Sequence, residues 1–108
     1  METSRAIDLL QALAQDTRLA AWRLLVRAGP EGTPAGVIAR HLGIAPPVLS
    51  FHLACLARCG LVVSRRHGRH VMYSADLDVM KVLTDFLVED CCLGFDAEPD
   101  PTIIFKEI

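Results

Sequence analysis

Two adjacent prolines restrict what this chain can fold into more than any other feature of its sequence. They occupy positions 46 and 47 in the stretch "GIAPPVLSFHLACLARCG". Proline lacks a backbone N–H and is tolerated in a helix only in the first turn, where that group has no intrahelical partner. We therefore predict a helix over residues 46–59, ended by Gly60. Residues 43–45 separate it from a short predicted helix at 34–42, a spacing typical of a helix-turn-helix.

Apolar residues at helical spacing predict two more helices before this unit. The first covers residues 4–14, with Thr3 or Ser4 as its N-cap. The second covers residues 17–28, with Asp16 as its N-cap. The helix-turn-helix is thus formed by the third and fourth helices of the chain.

After the fourth helix the pattern changes from helical to extended. β-Branched and aromatic residues surround His67-Gly68, a pair typical of short turns, and predict a two-stranded hairpin. From Asp76 helical spacing returns and predicts a last helix of about 17 residues, or about 25 Å, that ends at Gly94. This order of elements is that of a winged helix-turn-helix, a mainly α (α+β) fold of about five helices plus a two-stranded wing.

The composition indicates one small domain that needs a partner. Of the 108 residues, 52% are apolar, a high share for so small a core. Surplus apolar surface, including a second stripe on the last helix, predicts a homodimer. No apolar run reaches the roughly 18 residues of a membrane span and no secretory signal is visible, so we expect a cytoplasmic protein with reduced thiols and no membrane contact. The domain is expected at residues 1–94, with a C-terminal tail at 95–108.

Charge is distributed unevenly along the chain, whose net charge is −2. Residues 32–75 contain five arginines and all four histidines but no Asp or Glu, whereas residues 76–108 contain nine acidic residues against two lysines. An acid-free segment in an acidic protein favours a surface that binds a polyanion, with chance clustering as the alternative. Because this segment coincides with the predicted helix-turn-helix and hairpin, the expected partner is double-stranded DNA.

The positions of donors within these elements predict the DNA contacts. A helix in the major groove needs donors at its exposed start, and a basic ribbon holds the adjacent phosphates. The helix at 46–59 offers Ser50 and His52, and the hairpin segment "SRRHGRH" offers arginines at its tip. A merely solvated tip, and a His52 that caps or packs internally, are the alternatives. The predicted backbone contacts are Arg58, Arg65, Arg66 and Arg69.

Three stretches resemble the ArsR/SmtB family of metal- and metalloid-responsive repressors: "ALAQDTRLAAWRLL", "IARHLGIAPPVLSFHLACLARCGLVVSRRHGRHVMYSA" and the final helix. The resemblance covers roughly residues 10–93 and includes the specific core "LSFHLxxLxxxGLVxxRRxGRxxxY". It implies a homodimer built from the first and last helices, with two winged helix-turn-helix units on a palindromic operator that an inducer releases. The dimer contacts implied for this chain are Ile7, Leu10, Leu77, Met80, Leu83 and Leu87.

Two departures from the family pattern bear on the sites. Many relatives have a polar cap and a glutamine ahead of the first proline of the recognition helix, where this chain has Ala45 and Pro46. Base contacts are therefore expected from Ser50, Phe51 and Val48, the last through a thymine methyl group. The Cys-x-Cys inducer motif that many arsenic-responsive relatives carry on the preceding helix is absent from the corresponding "TPAGVIARHLG".

The four cysteines form two pairs. Cys55 and Cys59 share one face of the recognition helix and are interpreted as small core residues, with a redox or metal role as the alternative. Cys91 and Cys92 are adjacent, and Cα atoms about 3.8 Å apart are too close for an unstrained disulfide. The neighbouring acids and the helix C-terminus are expected to raise the thiol pKa values, which disfavours a nucleophile. Chelation of one thiophilic centre is the use that we predict.

The number of thiols bears on the identity of the inducer. Some ArsR-type repressors with a similar "CC" bind trivalent arsenic there with a third cysteine a few residues later, but residues 93–108 contain none. Two thiols satisfy methylarsenite fully and leave arsenite with one open position. We therefore predict a trivalent arsenical, methylarsenite and/or arsenite, at Cys91 and Cys92. Incidental packing, or a three-sulfur site completed by Cys55, Cys59 or a cysteine of the other subunit, stays open.

The predicted function is a transcriptional repressor of a resistance operon that a trivalent arsenical releases from its operator DNA. A thiol-redox or divalent-metal-responsive repressor of the same fold is the first alternative, and a winged helix used only for protein contacts is another. An enzyme such as an arsenate reductase is not expected, because neither a phosphate-binding glycine loop nor a cysteine with a lowered pKa is apparent. No enzyme cofactor is predicted.

Overall fold

The helices predicted from hydrophobic spacing are present, and the order of the elements is that of a winged helix-turn-helix. The computed structural model describes residues 1–95. Within that range the elements are α1 (Thr3–Leu13), α2 (Asp16–Ala28), β1 (Thr33–Pro34), α3 (Ala35–Leu42), α4 (Pro46–Arg58), β2 (Val62–His67), β3 (His70–Ala75) and α5 (Leu77–Leu87). The predicted C-terminal tail, apart from Phe95, lies outside the described residues.

The turn between α3 and α4 is built as the two prolines require. Gly43 ends α3 in a left-handed conformation (φ 67°) and donates its N–H to the carbonyls of Ala39 and Arg40. Pro46 and Pro47 occupy the first turn of α4, where a missing N–H leaves no helical hydrogen bond unmade. The two helices are bent by 111° from each other. Among the described residues no single helix is long and apolar enough to span a membrane, and only this bent pair, taken together, meets the criterion of length and composition.

The sheet has one strand more than predicted. β2 and β3 pair antiparallel and form, with the turn between them, the wing (residues 62–75). β1 joins the other edge of β3, with Thr33 opposite Tyr73 and Pro34 opposite Met72, so that the strand order is β1-β3-β2. Gly32 precedes β1 with φ at 86°, and a Cβ there would lie 3.0 Å from the Tyr73 carbonyl oxygen. Glycine therefore permits the close approach that ties the wing to the start of α3.

The N-caps of α1 and α2 differ from the prediction. The predicted caps of α1 lie inside the helix, and Glu2 holds the N-cap position without a side-chain capping bond. Gln15 is the N-cap of α2, and its Oε1 accepts a hydrogen bond from the Arg18 N–H at 2.8 Å. Asp16 is instead in the first turn, where its charge is favourable near the positive end of the helix dipole.

One hydrophobic core joins all five helices to the base of the wing. Trp22 on α2 is 6% exposed and belongs to this core. α4 is anchored by three buried leucines on one face, which fixes the orientation of its opposite face. The buried apolar residues are Ala6, Leu9, Ala21, Trp22, Leu25, Ile38, Ala39, Leu49, Leu53, Leu56, Leu61, Val62 and Leu83.

The last helix is shorter than predicted. α5 ends at Leu87 and has 11 residues. Residues 88–93 continue in successive turns, with positive φ at Asp90 (60°) and Cys92 (67°). Two left-handed residues within three positions are incompatible with a continued α-helix. Residues 87–95 are all exposed, so burial against the described part of the chain does not stabilise a helix there, and the prediction that the helix reached Gly94 is wrong.

Candidate functional site

The exposed side of α4 carries the side chains predicted to contact bases. Leu49, Leu53 and Leu56 face the core, and the exposed residues of the helix lie on its other sides. Val48 is 48% and Phe51 62% exposed, although both are apolar. Ser50 and Arg58 are exposed as well. The structure therefore brings these predicted DNA contacts to the surface of a helix that the core holds in place.

Unlike the other predicted DNA contacts on α4, His52 is half-buried and has a hydrogen-bond partner within the same chain. Its Nδ1 lies 3.2 Å from Nη1 of Arg18, on α2. The Phe51 and His52 rings meet edge to face, with centroids 5.3 Å apart. The alternative of a histidine that packs internally is thus partly correct. Sequence reasoning missed Arg18, since the 34 residues that separate the pair leave no local signal.

The wing presents the predicted arginines on more than one side. Arg65, Arg66 and Arg69 are all exposed. Arg65 and Arg66 are consecutive residues of β2, and consecutive side chains of a strand point to opposite faces. Arg65 Nη2 also donates to the carbonyl oxygen of Pro30 at 2.9 Å. The prediction of one arginine cluster at the tip is therefore only partly correct, because Arg69 alone lies in the turn.

Cys91 and Cys92 form an exposed pair just beyond α5. Their Sγ atoms are 3.2 Å apart, within hydrogen-bonding distance, and both thiols are free. The hydrogen bond with Cys92 raises the pKa of the Cys91 thiol above its usual value, and desolvation adds in the same direction. The predicted direction is thus confirmed for Cys91, but its first cause is the second thiol rather than the neighbouring acids. The positive φ of Cys92 turns the backbone while the two sulfur atoms remain together.

The second cysteine pair lies at the C-terminal end of α4, with Cys55 in the helix and Cys59 at its C-cap. Cys55 and Cys59 are half-buried and free. Cys59 Sγ donates to the Leu56 carbonyl oxygen at 3.3 Å, a contact within its own helix. Within residues 1–95 no group of three or more His, Cys, Asp or Glu side chains is placed to hold a metal ion. Cys59 packs against the hydrophobic core, in agreement with its interpretation as a core residue. For Cys55 that interpretation stays a prediction, and the metal or redox alternative stays open.

The residues predicted to form a dimer interface divide into two groups. Ile7 and Leu10 on α1 are 48% and 41% exposed, and Leu77 and Leu87 on α5 are each 54% exposed. Met80 is half-buried against the core. Leu83 is 1% exposed and packs within its own protomer, so its placement at the surface of a subunit is wrong. The four exposed residues still form apolar surface on α1 and α5, and their role in dimerisation stays a prediction.

Comparison with known proteins assigns the chain to a family. Residues 7–65 match the family of the helix-turn-helix domain. The HTH-type transcriptional regulator CmtR of Mycobacterium tuberculosis is 38% identical over 88 residues, which cover 81% of this chain and 72% of that protein. A homodimeric winged helix-turn-helix DNA-binding domain from Mycobacterium bovis, a possible ArsR-family transcriptional regulator, has a TM-score of 0.66 at 28% identity, with 79% of this chain and 77% of that chain covered. The chain belongs to the ArsR family of winged helix-turn-helix transcriptional regulators.

Two further similarities concern relatives whose names mention a ligand class. This ArsR-family chain is 42% identical over 64 residues to a probable mercury resistance operon repressor of Streptomyces lividans; the match covers 59% of this chain and about half, 49%, of that protein. It is also similar to the crystal structure of a possible transcriptional regulator for arsenical resistance, with a TM-score of 0.63 and 30% identity. The match covers 77% of this chain and 86% of that chain. Membership in the ArsR family makes α4 the recognition helix and residues 62–75 the wing of a DNA-binding unit.

Proposed function

We propose that this ArsR-family protein is a dimeric repressor of a resistance operon and that a trivalent arsenical releases it from operator DNA by binding to Cys91 and Cys92. The observation that carries the proposal is the 3.2 Å separation of the two exposed sulfur atoms. Two free thiols at that distance can bind one centre together without any movement of the folded core.

The DNA-binding half of the proposal rests on the surface of α4 and the wing. Exposed Val48, Ser50 and Phe51 are suited to base edges and thymine methyl groups, whereas the wing arginines are suited to phosphates. The homodimeric state of the Mycobacterium bovis relative supports a dimer here. A two-fold dimer would place two copies of α4 in successive major grooves about 34 Å apart on a palindromic site.

The protonation of Cys91 bears on the chemistry of the inducer. Because the pKa of Cys91 is raised, its thiol is protonated at neutral pH. Methylarsenite, CH3As(OH)2, condenses with two S–H groups to form two As–S bonds and release two water molecules. Arsenite keeps one As–OH bond at such a site unless Cys55, Cys59 or a cysteine of the other subunit supplies a third sulfur. The name of the arsenical-resistance relative supports this ligand class.

A soft divalent ion is the second candidate inducer. The mercury-repressor relative favours it, and two thiolates suffice for an ion that prefers soft sulfur ligands. Binding of such an ion as a thiolate complex displaces the proton of Cys91, whereas condensation with a neutral arsenical releases no proton. A redox response of this pair is disfavoured, because a disulfide between adjacent cysteines strains the backbone.

The test measures release of DNA by fluorescence anisotropy. The probe is the duplex that the wild-type protein selects from a random library. Wild type, Cys91→Ser, Cys92→Ser and the matched control Cys55→Ser/Cys59→Ser are titrated with methylarsenite, arsenite, mercury(II), zinc(II) and peroxide. We expect methylarsenite to release wild type and the control at similar concentrations, and each single serine variant to require at least about tenfold more. An unchanged response of both single variants, or release by peroxide alone, contradicts the proposal.

A further inference from the structure

Arg18 is held at the start of α2 by contacts at three of its nitrogen atoms. Its backbone N–H donates to Gln15 Oε1 at 2.8 Å, and its Nε donates to the Ala12 carbonyl oxygen at 2.6 Å. Its Nη1 lies 3.2 Å from Nδ1 of His52 on the recognition helix. The half-buried guanidinium is therefore held at the end of α1 through Nε and at α4 through Nη1, while the backbone bond to Gln15 anchors the residue at the start of α2.

The contact with Arg18 determines the tautomer of His52. A guanidinium has only donors, so the hydrogen bond requires a lone pair on Nδ1. A neutral imidazole with a lone pair on Nδ1 carries its single proton on Nε2. Within residues 1–95 the hydrogen bond at Nδ1 is the one side-chain hydrogen bond that His52 makes. His52 thus holds one N–H donor that the protein itself does not use.

We propose that Arg18 is a positioning residue that fixes His52 as an Nε2–H donor, and that this donor reads an acceptor on a base edge of the operator. The inference rests on the proposed DNA-binding function and extends it to one base contact. The acceptors available in the major groove are guanine N7 and O6, adenine N7 and thymine O4. The opposite tautomer would present a lone pair at Nε2 and favour a donor such as cytosine N4. Arg18 therefore decides which type of base-edge group His52 recognises.

A double-mutant cycle on Arg18 and His52 tests the proposal. Wild type, Arg18→Met, His52→Ala and the double variant are measured against the selected duplex and against duplexes with every single base-pair substitution in one half-site, at constant salt. We expect Arg18→Met to reduce the preference for the selected base about fivefold to tenfold at one position. Affinity for a random duplex should change less than about twofold. When His52 is already replaced by alanine, Arg18→Met should have no further effect on the preference for the selected base.

Two controls separate positioning from a loss of fold. Arg23→Met removes an exposed arginine of the same helix and should leave the base preference unchanged. Arg18→Lys keeps one donor and should retain part of the preference. Thermal unfolding of each variant shows whether the helices remain folded, and long-range ¹⁵N–¹H spectra of the imidazole report the tautomer of His52 directly. Wild type should show the Nε2–H form, and Arg18→Met should show a mixture.

Three outcomes would overturn the inference. One is that His52→Ala loses affinity equally for every duplex, which would show that His52 contacts a phosphate and not a base. Another is an additive cycle, which assigns Arg18 to stability alone. The third is an Nδ1–H tautomer in the wild-type protein, a result that needs no DNA. Failure of the wild-type protein to select any sequence would instead contradict the proposed regulatory function, and the spectra would still test the contact between Arg18 and His52.

Discussion

Arg65 of the wing donates a hydrogen bond from Nη2 to the carbonyl oxygen of Pro30, at 2.9 Å. The two residues are 35 positions apart in sequence, and the bond ties β2 to the turn between α2 and β1. Arg66 and Arg69 have no such bond to the described part of the chain. Arg65 is therefore tied to the body of the protein, and the phosphate contacts proposed for the wing are expected mainly from Arg66 and Arg69.

The first prediction concerns the salt dependence of DNA binding. Each phosphate contact contributes about −0.9 to the slope of log Kobs against log salt concentration, and three per protomer give a dimer a slope of roughly −5. Arg66→Ala and Arg69→Ala should each reduce the magnitude of that slope by about 1.8, because the dimer loses two contacts. Lys81→Gln on α5 removes the same charge from a residue paired with Asp85 and should leave the slope unchanged. Equal slopes for all variants would exclude these two arginines as phosphate contacts.

The second prediction concerns pH and separates the two inducer classes. The hydrogen bond with Cys92 raises the pKa of Cys91 above its usual value, so its proton is retained at neutral pH. Condensation with neutral methylarsenite consumes no free thiolate, and its binding constant should stay nearly constant between about pH 6 and pH 8. Mercury(II) or zinc(II) must displace the protons, so log K should rise by up to about two per pH unit. Calorimetry in buffers of different ionisation enthalpy measures the protons released in each case.

The third prediction separates folding from dimerisation on α5. Leu83 is 1% and Leu87 54% exposed, so the same substitution should act differently at the two positions. Leu83→Ala should lower the free energy of unfolding by about 2–5 kcal/mol through loss of burial and creation of a cavity. Leu87→Ala should instead weaken the dimer with a smaller effect on the protomer. Denaturant unfolding and sedimentation equilibrium measure the two effects, and a larger unfolding effect at Leu87 would contradict this arrangement.

The fourth prediction concerns the start of α5. Asp76 Oδ1 accepts hydrogen bonds from the backbone N–H groups of Asp78 and Val79, at 3.1 and 3.2 Å. Asp76→Ala should lower the free energy of unfolding by about 1 kcal/mol, whereas Asp76→Asn, which keeps an acceptor, should cost much less. Chemical denaturation of both variants checks the difference. A similar loss in the two would show that the carboxylate charge, and not the cap, stabilises the helix.

Local sequence rules predicted the helices well, because each has its own signal. The two prolines fixed the start of α4, and Gly43 fixed the end of α3. β1 was missed because two residues, Thr33 and Pro34, contain no alternation to detect. They become a strand only through β3, about 40 residues later. Arg18 was missed for the same reason, since its partner on α4 is distant in sequence.

The end of α5 shows where periodicity misleads. The spacing from Leu87 to Cys91 continues an apolar stripe, which predicted a longer helix. Residues 87–95 are exposed within the protomer, and such a stripe does not extend a helix without a surface to pack against. The pairing of Cys91 with Cys92 was nevertheless predicted correctly, because adjacency in sequence brings the two thiols together in either conformation.

The position of the thiol pair beyond α5 has a consequence for how such a protein can evolve. The buried residues that hold α4 and the base of the wing lie elsewhere in the chain, so none of them is constrained by the chemistry at positions 91 and 92. Under the proposed function, a cysteine gained or lost in this exposed segment would alter the set of inducer ligands without changing a buried residue. Descendants of one DNA-binding scaffold can therefore acquire new ligand preferences by single substitutions at its margin.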